Sequence, residues 1–376
     1  MAVKKTLRRY IFWAFFIGLI LLLSGCLREF FLPISPQKEG AEIISAEEEA
    51  GQAEKERLPE GVLYPRIYLV DGKRECLLPV TVALPWTEGV AKATLEKLIE
   101  GPTPAQEMRY GLSSPLPPTT KVRGLTIREG LAKLDISASF LDYDPGEEEL
   151  VLNSVIFTLL QFPAVKNVQL LVEGAALETF PGGTSGKENF DREQVLNRDV
   201  GGEEDLSGLE QTQAVTIYFC TVLGENHIFY VPVTRLVPAE EDIVAVTVKE
   251  LLKGPHAGRF LFSELPAGTK LRNFMLEEGV LTVDFSREIL DYQGGLSGEK
   301  NMLMQLILTL TEIPGVEKVQ VLIAGEKTTL AYGTSFEEPL AQPLMINPLF
   351  SSSPGGVHDG QDFKNMNGQE EGRTNN

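Results

Sequence analysis

The stretch EGLAKLDIS, residues 129–137, returns 149 positions later as EGVLTVDFS, residues 278–286. In each copy a Glu-Gly turn leads into a short run with alternating apolar residues, which predicts a β-strand ending at an acid. Further matches join residues 67–68 with 217–218 and residues 98–102 with 251–255. The offset varies only between periodic segments, where loops absorb insertions at low cost. The chain therefore contains two copies of one module in tandem.

The order of signals within each copy predicts two strands, a helix, two strands, a helix and a final strand. In the first copy, strands at residues 67–70 and 77–82 flank the hairpin signature Asp71-Gly72. A helical period follows and stops at Gly101-Pro102, since glycine favours a helix end and proline cannot continue one. The later elements are strands at 121–128 and 131–136, a helix at about 149–161 and a strand at 168–172. We expect an α+β fold made of two tandem repeats, each a small mixed β-sheet with two helices packed on it (ββ-α-ββ-α-β).

The N-terminal leader has the features of an exported lipoprotein. Four basic residues precede the apolar run 10–23, which is too short to span a membrane as a helix. Ser24-Gly25-Cys26 then resembles the bacterial lipobox, in which the cysteine is acylated and the preceding segment is removed. Cys26 is therefore the predicted lipidation site, and we expect the protein at the cell membrane, lipid-anchored on its extracytoplasmic face. An uncleaved signal anchor and a plain secretory peptide are the alternatives.

Composition divides the remainder of the chain. Residues 26–61 are rich in Glu, Ala, Gln and Pro and predict an acidic flexible tether. The predicted domains are residues 62–198 and 214–348, joined by a Gly- and Glu-rich linker at 199–213. Residues 349–376 turn to Ser, Gly, Asn and Gln and predict a disordered polar tail.

Charge excludes one class of partner. Removal of residues 1–25 takes away four positive charges and no acid, which lowers the formal net charge from −19 to −23. A surface of this sign repels nucleic acid and anionic lipid headgroups. We expect no nucleic-acid partner, and we expect the lipid, not a basic patch, to hold the protein at the membrane.

The sequence offers little for metal or redox chemistry. Cys76 and Cys220 occupy different positions in the two repeats, so we expect no disulfide between them and interpret both as small apolar residues of the core. The three histidines, His227, His256 and His358, lie in unrelated segments, and the first repeat has none. We predict no metal site, no cofactor and no histidine-based catalytic centre.

Two acids at matching positions are candidates for hydrolytic chemistry. Asp135 and Asp284 each end an apolar strand, and Asp142 and Asp291 follow at matching distances. A catalytic interpretation would make Asp135 and Asp142 a carboxylate pair for hydrolysis. No nucleophile or base motif accompanies them, so we favour a structural role in which Asp135 accepts hydrogen bonds from the backbone turning towards the second helix.

The segment PGGTSGK, residues 181–187, only superficially resembles a phosphate-binding loop. Pro181 stands where that loop requires its first glycine, and Glu188 stands where it requires serine or threonine. The second copy lacks the lysine. A turn after the last strand is the better interpretation.

Exposed strand edges are the feature that favours a binding function. A small mixed sheet leaves edges that can accept a strand from another protein or another copy of the module. We therefore expect assembly, with self-association as one form of it, and we predict no catalytic residues.

The residues that carry the repeat resemble the GerM domain. Leu78-Pro79-Val80, repeated as Val231-Pro232-Val233, the helix ending in Gly-Pro, and the Val-Asp-Phe-Ser of residues 283–286 stand in the order of that domain. Two such domains behind a lipobox are similar to the GerM family of sporulation and spore germination lipoproteins. The resemblance covers about residues 62–348. It implies a non-enzymatic role, with other extracytoplasmic or membrane proteins, such as components of the sporulation channel between mother cell and forespore, as partners.

The leading hypothesis is therefore a membrane-anchored extracytoplasmic scaffold that acts in sporulation and spore germination through protein–protein contacts. One alternative is a cell-wall or spore-cortex hydrolase that uses Asp135 or Asp284. Another is a lipoprotein that binds a small ligand or peptide between its modules.

Overall fold

The computed structural model describes residues 61–192, 194–199, 212–239, 242–256 and 260–349. The predicted leader, tether and tail and the lipidation site Cys26 lie outside these ranges, as does His358. Both repeats belong to one compact unit that begins at Glu56.

Repeat 1 contains eight strands and three α-helices among the described residues. The strands are β1 (Val62–Leu63), β2 (Arg66–Asp71), β3 (Leu77–Thr81), β4 (Leu84–Pro85), β5 (Leu112–Ser113), β6 (Val122–Arg128), β7 (Leu131–Ile136) and β8 (Asn167–Val172). The helices are α1 (Val90–Glu100), α2 (Pro104–Tyr110) and α3 (Glu148–Leu160). Short 3₁₀ turns at Ala138–Leu141 and Pro145–Glu147 lead into α3.

Repeat 2 is built in the same order. Its strands are β9 (Thr212–Leu223), β10 (His227–Pro238), β11 (Leu271–Glu277), β12 (Val280–Phe285), β13 (Lys318–Ile323) and β14 (Leu340–Ala341). Its helices are α4 (Ile243–Lys253) and α5 (Gly295–Leu310), with a 3₁₀ turn at Arg287–Leu290. The predicted α+β class and the tandem ββ-α-ββ-α-β order are confirmed. Strand β9 begins two residues before the predicted start of the second domain.

The strands of each repeat are divided between two sheets. The hairpin β2–β3 forms one sheet with β5, in the order β3-β2-β5, and the hairpin β9–β10 is its counterpart. The second sheet is mixed: β7 pairs antiparallel with β6 and parallel with β8, and β12 pairs in the same way with β11 and β13. The helices bury apolar faces against these sheets, so one hydrophobic core runs through both repeats.

Two local differences separate the repeats. Pro65 has no N–H to donate, and at this point the first hairpin breaks into the separate pair β1–β4, whereas β9 and β10 run unbroken for 12 residues each. Helix α2 is present only in repeat 1 among the described residues. Thr103 begins it with a capping box closed by Gln106, and Gly111, in the left-handed region at φ 66°, ends it.

Cys76 and Cys220 are both buried and are not joined by a disulfide, as the interpretation of two small core residues requires. Within the described ranges, the chain has no helix long and apolar enough to cross a membrane.

Candidate functional site

The two repeats join along corresponding edge strands, β3 of repeat 1 and β10 of repeat 2. Each strand carries a proline, Pro79 and Pro232, at its middle. Because proline has no N–H, neither strand can form a full hydrogen-bonded ladder with a further strand. The remaining polar groups of these edges are satisfied by two short segments, residues 196–199 and 346–349, here named the first arm and the second arm.

An asparagine in each arm bridges the two strands. Asn197 Nδ2 donates to the carbonyls of Leu77, at 2.7 Å, and of Pro232, at 2.8 Å, and its Oδ1 accepts from the N–H of Leu77 at 2.7 Å. Asn197 therefore binds β3 of its own repeat and β10 of the other.

The second arm makes the same contacts with the repeats exchanged. Asn347 Nδ2 donates to the carbonyls of Tyr230, at 2.8 Å, and of Pro79, at 2.9 Å, and its Oδ1 accepts from the N–H of Tyr230. Both asparagines adopt positive φ angles, 52° and 48°, a conformation that asparagine tolerates better than most residues. The interface therefore has approximate two-fold symmetry.

The arms also cross from one repeat to the other. Leu196 of the first arm exchanges hydrogen bonds with Thr234 of repeat 2, through the Thr234 backbone N–H and Oγ1. Ile346 of the second arm makes the equivalent pair with Thr81 of repeat 1. All four residues are buried. Each repeat is thus completed by the arm of the other.

The hairpin tips reach across the same interface. Glu225, in the turn of the second hairpin, donates its N–H to the carbonyl of Arg109 in α2, and His227 packs edge-on against Tyr110 with 4.7 Å between ring centroids. In the first hairpin, Lys73 Nζ lies 3.1 Å from the ring centroid of Phe260 in repeat 2. His227 therefore packs in the interface between the repeats.

A buried ion network fixes the first arm to repeat 2. Arg235 is 5% exposed and donates to Asp199 Oδ2 at 2.7 Å, to Glu250 Oε2 at 3.1 Å and to the carbonyl of Gly254 at 2.7 Å. His256 Nδ1 lies 2.8 Å from the same oxygen of Asp199. His256 therefore contacts the first arm. Repeat 1 has Val82 where repeat 2 has Arg235, so this network occurs once.

Two buried tyrosines, Tyr68 of repeat 1 and Tyr218 of repeat 2, both interact with Glu312. Burial raises the pKa of Tyr68 to about 12, an effect that nearby Arg66 opposes and Glu312 of repeat 2 reinforces. Burial also raises the pKa of Tyr218, whose hydroxyl donates to Glu312 at 3.2 Å. Glu312 of repeat 2 thus raises the pKa of one tyrosine in each repeat.

A second duplicated feature is a buried carboxylate at the start of the second helix. Glu299 accepts the N–H groups of Tyr332, at 2.9 Å, and Thr334, at 2.8 Å, together with the hydroxyl of Tyr292. In repeat 1, Glu148 accepts the matching N–H groups of Gly182 and Thr184 and the hydroxyl of Tyr143.

These two carboxylates stay ionised despite their burial. Burial, the largest influence, would raise the pKa of Glu148 and of Glu299, but hydrogen bonds from Thr184 and Thr334 and from the backbone and tyrosine donors outweigh it, so both pKa values are lowered. The Pro-Gly-Gly-Thr segment is therefore a turn tied to a buried acid, and the interpretation of residues 181–187 as a turn is confirmed. Sequence reasoning missed both glutamates, although they lie 151 positions apart within matching helices.

The matching acids Asp135 and Asp284 are tied to a different segment from the one predicted. Asp135 accepts the N–H of Gly174, and Asp284 that of Gly325, in the turns that follow β8 and β13. The prediction of a backbone acceptor is correct, but the donor lies beyond the last strand and not on the path to the second helix. Each acid also pairs with an arginine of the neighbouring edge strand, Asp135 with Arg123 and Asp284 with Arg272, at 3.2 Å.

The exposed Asp142 closes a 3₁₀ turn through its backbone N–H, as does Asp291. Within the described residues no group of three His, Cys, Asp or Glu side chains could bind a metal ion. Asp135 and Asp284 make matching structural contacts, and these contacts explain why an aspartate stands at this position in both repeats without a role in hydrolysis.

The outer edges of the mixed sheets are formed by β6 and β11, which are terminal strands in their sheets. Along β11 most residues are exposed, including the apolar Met275, at 50%, and Leu276, at 41%. The predicted strand edges are therefore present. One pair, β3 and β10, lies between the two repeats, whereas the pair β6 and β11 lies on the outside of the molecule.

This architecture defines a class of protein: two α+β modules joined edge to edge through exchanged arms. A family model described as "Germane: Sporulation and spore germination" matches residues 66–178 and 216–329. The spore germination protein GerM of Bacillus subtilis (strain 168) is 30% identical over 291 residues, which cover 75% of this chain and 77% of that protein.

The solved structure of the tandem GerMN domains of the sporulation protein GerM from Bacillus subtilis matches with a TM-score of 0.66 at 30% identity. The match covers 76% of this chain and 99% of the solved chain. The chain therefore belongs to the Germane family, and its resemblance to the GerM domain is confirmed. Its relatives are described as sporulation and germination proteins, so the role of this chain is related to sporulation.

Proposed function

We propose that this protein is a membrane-anchored extracytoplasmic scaffold that holds other proteins together during sporulation, in the space between mother cell and forespore. The observation that carries the proposal is the joined pair of repeats, which presents two corresponding edge strands, β6 and β11, within one compact unit. A pair of similar binding edges suits a component that joins neighbours.

Strand β11 is the edge to test first. The edge of β11 offers a partner strand unpaired backbone groups, and Met275 and Leu276 add exposed apolar surface beside them. Proteins whose edge strands bind no partner commonly place charged residues on such an edge. Lysine at position 275 should prevent strand addition without disturbing the core, because half of the side chain is already exposed.

The matched control is Leu344→Lys, which places the same charge at a residue that is 56% exposed and outside the edge strands. Association should be measured by sedimentation and by site-specific crosslinking in sporulating cells, together with the count of heat-resistant spores. We expect Met275→Lys to lose crosslinked partners and spores while Leu344→Lys retains both. Equal behaviour of the two variants would contradict the assignment of the edge.

The membrane anchor is tested separately. Cys26→Ala should move the protein from the membrane fraction to the soluble fraction, because the predicted acyl chains could no longer be attached. Retention of the variant in the membrane fraction would favour an uncleaved signal anchor.

A further inference from the structure

The edge of strand β11 offers a regular run of five residues, Asn273–Glu277. A β-bulge lies between Leu271 and Asn273, and from Asn273 onward every residue of the strand pairs in register with β12. The run ends at a two-residue turn, Glu278-Gly279, in which both φ angles are positive, 48° and 79°. Met275, which is 50% exposed, stands at the centre of the run.

The turn fixes which backbone groups of this run face outward. In a hairpin with a two-residue turn of this type, the residues that flank the turn, Glu277 and Val280, exchange hydrogen bonds. Antiparallel pairs then alternate, so the N–H and C=O groups of Phe274 and Leu276 point away from β12. The carbonyl of Phe285 agrees with this alternation, because it accepts a hydrogen bond from the β13 side of β12. The edge therefore presents four backbone groups to a further strand.

The charges along β11 are divided between its two ends. Lys270 and Arg272 precede the regular run, Glu277 and Glu278 close it, and all four residues are exposed. An antiparallel copy of the same strand would place the acidic end of each chain beside the basic end of the other. Opposite charges on neighbouring strands stabilise their pairing, whereas like charges destabilise it. The edge of β11 is thus complementary to itself.

The corresponding strand β6 lacks this complementarity. Its start carries Lys121 and Arg123, but its turn end carries Arg128 and Glu129, whose charges cancel. Two antiparallel β6 strands would therefore gain no net attraction, and β6 paired with β11 would gain it at one end. Only β11 paired with β11 has attraction at both ends.

Apolar surface lies at the centre of this self-complementary pairing. With Met275 opposite Met275 of the second copy, each Leu276 would stand across from Phe274 of the other strand. Leu276 is 41% exposed, so the pairing would cover apolar surface that water now contacts. Strand β6 has Thr126 where β11 has Met275, at the offset of 149 between these strands. The exposed apolar residues of β11 are therefore placed where a two-fold contact would bury them.

We propose that β11 of one chain pairs antiparallel with β11 of a second copy, centred on Met275, to form a two-fold dimer. Phe274 and Leu276 of the two strands would exchange four backbone hydrogen bonds and join two mixed sheets into one. Self-complementary two-fold contacts are the commonest kind in homodimers. A contact of this size predicts a weak dimer in solution. The inference rests on the proposed use of β11 as a binding edge and names its occupant, which leaves β6 at each end of the dimer for other proteins.

A disulfide trap tests the pairing. The protein is the chain from Glu56 onward, which forms one compact unit and whose own cysteines, Cys76 and Cys220, are buried. Met275→Cys would place two thiols across a non-hydrogen-bonded pair, where Cα atoms lie about 4.5 Å apart and a disulfide can form. Met108→Cys, at a residue of α2 that is 85% exposed, is the matched control.

Under mild oxidation we expect the variant at position 275 to form covalent dimers at least about tenfold faster than the control, because pairing raises the effective concentration of its thiols. Equal rates of the two variants would overturn the proposal.

Charge reversal tests the complementarity. Glu277→Lys combined with Glu278→Lys would place like charges side by side at both ends of the pairing, and sedimentation equilibrium should show association weakened at least about tenfold. Glu337→Lys combined with Glu338→Lys makes the same change of charge at exposed acids outside β11 and should leave association unchanged. Equal association of the two double variants would also overturn the proposal.

Crosslinking from position 275 in sporulating cells separates this inference from the scaffold proposal. A product of twice the chain mass that disappears in the variant with Glu277→Lys and Glu278→Lys supports the dimer. Crosslinks to other proteins alone would overturn the dimer and leave the scaffold proposal standing. A dimer in cells without any other crosslinked protein, at β11 or at β6, would support the dimer and contradict the scaffold.

Discussion

Substitution of Asn197 by glycine should weaken the whole molecule, because this side chain ties both repeats together. Three hydrogen bonds are lost, two to Leu77 and one to the carbonyl of Pro232, all in a buried setting. At a net value of about 1 kcal/mol per bond the free energy of unfolding should fall by about 3 kcal/mol. Glycine keeps the positive φ of 52° without strain, so the loss reports the hydrogen bonds.

Urea unfolding followed by circular dichroism measures this change. The slope of the free energy of unfolding against urea concentration should stay constant if the substitution leaves the folded state as compact as before. Asn197→Ala should lose roughly 1 kcal/mol more, since a Cβ at positive φ is strained. The control is Asn226→Gly, an exposed turn position with φ 66°, which should change stability by less than about 0.5 kcal/mol. A loss for Asn197→Gly no larger than that of the control would refute the role of the arm.

Two further substitutions test the buried charges. Glu299→Gln should destabilise the fold most at neutral pH. A carboxyl whose pKa is lowered by folding stabilises the fold above its unfolded pKa, about 4.3, and loses this contribution as the pH falls through its folded pKa. The free energies of unfolding of variant and wild type, plotted against pH, should therefore converge in acid, and a difference that stays constant with pH would contradict the role of the lowered pKa. Arg235→Met should cost about 3 to 5 kcal/mol in thermal or urea unfolding, because Asp199 and Glu250 would stay buried without their cation; a loss below about 1 kcal/mol would show that water replaces it. Asp284→Asn and Asp135→Asn together should leave muropeptide release from purified cell wall unchanged, and a loss of release would instead support the hydrolase alternative.

Local periodicity predicted the principal elements well. The Gly-Pro pairs after α1 and α4, the Glu-Gly turns before β7 and β12 and the apolar helix faces are local signals, and the structure has each element within a few residues of its predicted position. The repeat strengthened these predictions, because the two copies of the module independently predict the same order of helices and strands. Helix α2 was missed, although Thr103 and Gln106 form a capping-box signal that could have identified it.

The pairing of elements could not be predicted from local pattern. Nothing in the strand sequences tells which of them share a sheet, so the separation of the hairpins from the mixed sheets was unexpected. Residues 197 and 347 are both asparagine, but a polar residue in an irregular segment does not indicate its partner. Asn197 and Asn347 acquire their role only when both hairpins lie side by side.

The exchanged arms have a consequence for the order in which the chain matures. During synthesis the first hairpin appears long before Ile346 and Asn347, and until then the N–H of Thr81 and the carbonyl of Pro79 have no protein acceptor or donor from the second arm. A polypeptide that ends before the second arm would therefore leave these backbone groups of β3 without their hydrogen-bond partners. We expect such products to be recognised and degraded by quality-control proteases, so that only chains translated past the second arm, residues 346–349, accumulate.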